Sequence, residues 1–330
     1  MDGKSLRLVM SGGPHIAGRT DISRVMSLVI ASLLPLVAFG IHRFGWYVLA
    51  VVTVSVATAV VSELAVRALL RRPPHVGDGS AVVTGLLLAL IMPPSAPLWM
   101  VAIGSATAIV VAKELFGGLG GNPFNPALIG RAILLMSWPA FMTRWGTLRE
   151  VLADATTSAT PLAAAGKAVG DLSSVMRSVG ASDRSAMYWQ LLIGNRGGSI
   201  GETCALLILA ALVLLVLLRV VDFRIPTAMI GTTAVLYAIL GRDPLFGILS
   251  GGLLFGAVFM ATDYVTTPLT PLGKWLFGIG AGAVTVLIRL FGGFPEGVTY
   301  GILIMNLATP FLDRVLPRKF GYVRPTKAVS

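Results

Sequence analysis

The chain has 330 residues, 55% of them hydrophobic and only 12% charged, with a mean hydropathy of +0.83. A soluble globular domain carries about 25% charge, so a soluble enzyme or scaffold is excluded and a polytopic membrane protein is expected. The net charge of +11 is spread over many short segments instead of one cluster, which argues against nucleic acid as a partner.

Apolar runs of spanning length, about 20 residues each, are expected near 22–41, 44–66, 80–93, 98–116, 126–142, 203–221, 225–241, 244–262, 272–290 and 296–316. The third is short and ends at Pro93-Pro94. The first is too long for a cleaved signal and lacks an Ala-x-Ala site. With the N-terminus inside, the inner segments hold sixteen Lys and Arg, among them Arg67, Lys113 and Lys274, while the short outer segments hold Arg43, Arg242 and Arg289. That asymmetry predicts two cytoplasmic termini and an extracytoplasmic loop at 143–202.

The runs also point to an internal repeat. Thr84-Gly85-Leu86-Leu87 resembles Ser250-Gly251-Gly252-Leu253-Leu254, and Phe116-Gly117-Gly118 resembles Phe291-Gly292-Gly293. Five runs lie in each half, an odd number, so the second half inserts inverted relative to the first. Inverted repeats place binding sites between the halves, often where helices break at Gly and Pro.

The polar segments carry the chemistry. In Gly120-Gly121-Asn122-Pro123-Phe124-Asn125-Pro126, Asn125 and Pro126 read as an N-cap and first helical position. Beyond starting a helix, Asn122 and Asn125 offer amides, and Phe124 a face, to a flat heterocycle such as an isoalloxazine. Arg131 follows inside the helix, where an intramembrane charge needs a partner or a cavity. Next, Asp154-Ala155-Thr156-Thr157-Ser158-Ala159-Thr160 resembles the site at which a flavin transferase esterifies FMN through its phosphate to the last threonine; the plain alternative is a generic Ser/Thr/Ala loop. In Gly194–Thr203, Ser199 and Glu202 have the spacing of a capping box, and four glycines allow close backbone approach to something flat or anionic, such as a flavin tethered nearby. Thr262 and Asp263 end the eighth run; they fit either a turn or contacts to a ribityl chain. Glu63, Glu114 and Glu296 read equally as relays or as ion-paired ends. Cys204 is the only cysteine, too few for an iron–sulfur cluster within this chain.

Taken in order, Pro14-His15, the Gly- and Asn-rich segment 117–127, the motif ending at Thr160, 194–203, 259–271 and 291–306 resemble one family over nearly the whole chain. It comprises the D subunit of the Rnf complex and the B subunit of the sodium-translocating NADH:quinone oxidoreductase. The length favours the Rnf member. Ser158 stands where the family often has Gly, and Tyr264 where it often has Pro.

The resemblance implies an all-α, urea-transporter-like membrane fold of about ten helices in two inverted five-helix repeats. It divides the chain into a cytoplasmic arm (1–21), a first repeat (22–142), an extracytoplasmic flavinylated loop (143–202), a second repeat (203–316) and a cytoplasmic tail (317–330). It implies covalent FMN on Thr160, within reach of Asp154, Ser158, Ser199 and Glu202. It also implies a non-covalent riboflavin, for which Asn122, Phe124, Asn125, Arg131, Thr262 and Asp263 are the candidate contacts. The activity implied is electron flow between ferredoxin and NAD coupled to Na+ or H+ movement in the bacterial inner membrane, beside the A, B, C, E and G subunits of Rnf and after maturation by a flavin transferase. A quinone-reducing subunit and a solute channel are the rival readings. A bilayer core is about 30 Å thick, so one outer flavin needs a second carrier.

Overall fold

A computed structural model describes residues 22–73, 76–145, 161–162, 172–292 and 297–314. Among them every regular element is helical, as expected of apolar chain in lipid, where backbone polar groups must be satisfied within the segment. We number the helices α1 (Ile22–Phe44), α2 (Tyr47–Leu69), α3 (Ser80–Ile91), α4 (Leu98–Val110), α5 (Pro126–Ser137), α6 (Pro139–Met142), α7 (Ser173–Ser178), α8 (Arg184–Ile193), α9 (Ala205–Leu217), α10 (Arg224–Ile239), α11 (Pro244–Leu249), α12 (Leu253–Phe255), α13 (Pro271–Phe291) and α14 (Val298–Leu312). A π-helical segment, Gly256–Met260, continues α12.

Four helical segments are long and apolar enough to cross a membrane: Ile22–Phe44, Tyr47–Leu69, Leu98–Phe116 and Pro271–Phe291. Shorter apolar helices (α3, α5, α9 and α14) pack among them. This is consistent with a polytopic membrane protein. Each expected apolar run contains a helix, but the run 244–262 is not one element. It breaks at Ser250–Gly252, where Gly251 has φ +64, a left-handed conformation that glycine adopts freely. The run 126–142 likewise divides at Trp138 ahead of Pro139.

Small residues let the helices touch. A Cβ at Gly85 would stand 2.8 Å from Val56 Cα, so α3 rests on the backbone of α2. Ser55 Oγ donates to Gly85 O (2.7 Å), and Ser105 Oγ on α4 donates to Ser55 O (2.6 Å). Without water between helices, close packing and such hydrogen bonds replace the hydrophobic drive. In the second half, α13 lies as close to α10: a Cβ at Gly282 would stand 2.7 Å from Met229 O.

The helices α7 and α8 form a second, small apolar cluster with Phe246 of α11, in which Val175, Met187 and Leu191 are fully buried. Asp183 caps α8 by accepting from Ala186 N at 2.8 Å, which holds its carboxyl below the usual range. Tyr188 donates to Asp243, and Asp243 in turn caps α11 through Phe246 N (2.9 Å).

Candidate functional site

Two cavities lie along the seam where α5 meets the α12–π segment. The larger opens at the end of the bundle where α1 begins and α9 ends. It encloses about 780 Å³ of non-atom space, part of it open to the outside. Its walls are mostly apolar: Val25 and Val29 of α1, Leu87 of α3, Leu215 of α9 and Phe259 of the π-helical segment. Polar groups enter at a few points, from Ser80, Lys113, Asn122, Asn125, Thr262, Asp263 and Tyr264.

Asn122 is 4% exposed. Its Nδ2 donates to Phe124 O at 3.1 Å, and its Oδ1 has no hydrogen-bond partner. A buried unsatisfied oxygen costs about 1–3 kcal/mol, and here it belongs to a cavity wall. An N–H donor in the cavity would satisfy it.

Asn125 has no such spare capacity. Its side chain accepts from Leu128 N (3.3 Å), the N-cap bond expected from the sequence, with Pro126 at the first helical position. Its Nδ2 donates to Met260 O (3.3 Å) and its backbone N to Asn306 Oδ1 (3.3 Å). Asn125 thus joins α5 to the second half. Phe124 packs against the main core and is not among the cavity's lining residues. The aromatic groups on the wall are Phe259 and Tyr264 instead.

Thr262 Oγ1 turns back to Val258 O (2.6 Å), while Asp263 Oδ2 accepts from Thr266 Oγ1 (3.2 Å) and Asp263 O from Thr267 Oγ1 (2.8 Å). Asp263 is therefore both a turn residue and a cavity residue. Tyr264 ties this turn to the end of α9 by donating to Val220 O.

Arg131 belongs to the second cavity, which is smaller, about 280 Å³, and is also lined by Ile91, Leu128, Glu202 and Met260. Arg131 donates to Ile91 O at the end of α3 and stands 3.6 Å from Glu202 Oε1. The sequence groups Arg131 with Asn122 and Asn125 in one site; the structure separates them. The basic side chain of the larger cavity is Lys113, which the sequence marks only as an inner-face charge. No local signal singles it out, because its partners Glu63 and Ser80 are distant in sequence.

Ser199 and Glu202 do not form a capping box. Helix α9 starts at Ala205 behind Cys204, which makes no side-chain cap. Ser199 is fully buried with an unpartnered Oγ, and Glu202 faces Arg131. The close approach of this glycine-rich segment is to α3: Ile200 N donates to Met92 O (3.1 Å) and Gly201 N to Leu90 O (2.7 Å). Arg196 braces the turn through Glu202 O (2.7 Å) and Thr203 O (3.2 Å). Asp154, Ser158, Thr160 and Glu296 lie outside the described residues.

Sequence comparison gives these cavities a family. A model of the NQR2, RnfD, RnfE family matches residues 9–321. The chain is 44% identical to the D subunit of the proton-translocating ferredoxin:NAD(+) oxidoreductase complex of Clostridium ljungdahlii, covering 94% of this chain and 96% of that one. It is 42% identical to the D subunit of the Na(+)-translocating ferredoxin:NAD(+) oxidoreductase complex of Acetobacterium woodii, covering 94% and 93%. It is 39% identical to the D subunit of the ion-translocating oxidoreductase complex of Stutzerimonas stutzeri, covering 92% and 93%. This chain belongs to the NQR2, RnfD, RnfE family.

Proposed function

We propose that this chain is the D-type membrane subunit of an ion-translocating ferredoxin:NAD+ oxidoreductase, an electron-carrying part of a redox-driven translocase that works only within its complex. The observation that carries this is similarity over almost the full length of relatives bearing that name. The coupled ion is Na+ or H+, since the relatives' names include both. Its partners are the other subunits of the complex, with A, B, C, E and G the expected set, and a flavin transferase during maturation.

The protein sits in the bacterial inner membrane with both termini cytoplasmic and residues 143–202 outside. The two halves are inverted repeats. Supporting this, α2 packs on α3 and α4 as α10 packs on the π-helical segment and α13, α4 meets α5 as α13 meets α14, and α1 meets α9. The larger cavity then lies at the inner face and Thr160 at the outer face.

Two flavins serve the two faces: FMN esterified to Thr160, and riboflavin in the larger cavity. A bound flavin supplies a ring that takes up and releases electrons. The protein's part is to hold it. Asn122 Oδ1 would accept an N–H of the ring, Phe259 and Leu87 would help exclude water, and Asp263 and Thr262 would be available to the ribityl hydroxyls. The cavity suits a phosphate-free flavin, because Lys113 is the only Lys or Arg on its lining among the described residues.

Replacing Thr160 with alanine tests the outer site. Covalent in-gel fluorescence is lost completely, the mass of FMN disappears from the peptide spanning 150–167, and membrane insertion is unchanged. Flavin mapped to Thr156 or Thr157 in the wild type refutes the assignment.

A further inference from the structure

Lys113 is the one charged lining residue of the larger cavity that the proposed flavin contacts leave without a task. It follows α4, is 2% exposed, and donates from Nζ to Ser80 Oγ at 2.7 Å and Glu63 Oε2 at 3.1 Å. Behind it stand three more ions. Arg67 Nε lies 3.5 Å from Glu63 Oε1 and 3.3 Å from Glu114 Oε1, and Arg67 Nη1 donates to Pro73 O at 3.0 Å. Glu63 is fully buried, Glu114 1% exposed and Arg67 5% exposed.

Two acids and two bases cancel in formal charge. Such a cluster is a poor source of stability, because desolvating each ion consumes most of what pairing returns. Its placement gives it another use. Of the four ions only Lys113 lines the cavity, which is also lined by Asn122, whose Oδ1 is unpartnered. Two of the three ammonium N–H groups are directed to Glu63 and Ser80. The cavity is therefore walled on one side by a fixed cation with its counter-ions held behind it, in a setting where charge acts strongly.

We propose that Lys113 is a positioning residue that stabilises negative charge on an electron-accepting ring bound in the larger cavity, with Glu63 setting how strongly it does so. This rests on the reading that the cavity holds a non-covalent flavin. In the step concerned, one electron passes from a one-electron donor of the complex to the ring. The ring gains one negative charge and the donor loses one. No bond breaks, and no proton is transferred.

The test is a potentiometric titration of the intact solubilised complex, following the acid-extractable flavin with the covalent flavin as internal reference. Lys113→Met removes the cation and leaves the cluster net negative. At fixed potential it lowers the ratio of reduced to oxidised ring at least tenfold, a shift of about 59 mV for one electron. Glu63→Gln leaves the cluster net positive and moves the midpoint upward. Lys113→Arg retains the wild-type midpoint to within about threefold in that ratio, and the covalent flavin does not move in any variant. Opposite shifts in the two charge variants are not produced by a packing role. Retained flavin with an unmoved midpoint in both, or shifts of the same sign, overturns the inference while leaving the cavity's flavin in place. If Lys113→Met does not assemble, an unmoved or lowered midpoint in Glu63→Gln overturns it alone. Wild-type complex with no extractable flavin overturns the flavin reading of the cavity, and this inference with it.

Discussion

The two cavities on the seam hold polar groups of similar kind and use them differently. In the smaller one, Arg131 and Glu202 meet each other, and Arg131 also reaches the end of α3. In the larger one, Asn122 keeps an unpartnered oxygen, and Lys113 lines the space while its ammonium donates to Glu63 and Ser80. Polar groups committed to protein partners mark architecture, whereas uncommitted ones around a roomy apolar space mark a ligand. Asn125 lines the larger cavity yet belongs with the first kind, because its amide is committed to Leu128 and Met260.

This contrast is open to direct attack. The largest effect is expected from Arg131→Met, which deprives buried Glu202 of its counter-charge and the end of α3 of a donor. Breaking such a pair costs about 3–5 kcal/mol, visible as a large fall in melting temperature in detergent, and Glu202→Gln in the same chain recovers part of it. A wild-type melting temperature in Arg131→Met would remove the architectural role of the smaller cavity. Asn125→Ala is next, at about 2 kcal/mol for a lost N-cap and an inter-half hydrogen bond; it weakens folding and flavin retention together. Asn122→Ala separates the two properties. It changes stability by no more than about 1 kcal/mol, since only the bond to Phe124 O is lost, but it releases riboflavin. Equal behaviour of the two asparagine variants would erase the distinction between them.

The smallest effect lies at the second, small apolar cluster. Tyr188→Phe costs about 1 kcal/mol by removing the bond to Asp243. Burial, reinforced by Asp243, pushes the Tyr188 hydroxyl from 10.0 up to about 12. The folded state therefore keeps this proton when the unfolded chain has lost it. The contribution is whole below about pH 10 and disappears as the pH rises to about 12. Alkaline unfolding curves of wild type and Tyr188→Phe should converge over that interval.

What is legible in the sequence is local. The cap at Asn125 with Pro126 is readable because both partners lie within one helical turn. The apolar runs are readable because a bilayer demands them. The break inside 244–262 escapes notice because hydropathy does not register a glycine pair that turns the chain. Arg131 is misplaced for a geometric reason: six residues beyond Asn125 on a helix is about 9 Å deeper and about 120° around the axis. Lys113 is hidden for a topological one, since its ion pair reaches back to α2 and its hydroxyl partner sits on α3. The Ser199–Glu202 spacing resembles a cap, but buried contacts with the first half prevail over the local pattern.

Helix α3 has one more consequence, for the order in which the protein is built. It is twelve residues long, about 18 Å at 1.5 Å per residue, so its last carbonyls stop inside a hydrocarbon layer of about 30 Å. Leu90 O and Met92 O take their donors from Gly201 and Ile200, which the ribosome adds only after the rest of the first half and nearly all of the long loop. Until then those carbonyls lack these donors, and a carbonyl left unpaired away from water costs several kcal/mol. The first half is thus an incomplete solute of the membrane during synthesis. Its short helix docks only when the second half begins to arrive, so a chain truncated before residue 200 should be removed by quality control instead of accumulating as a stable half.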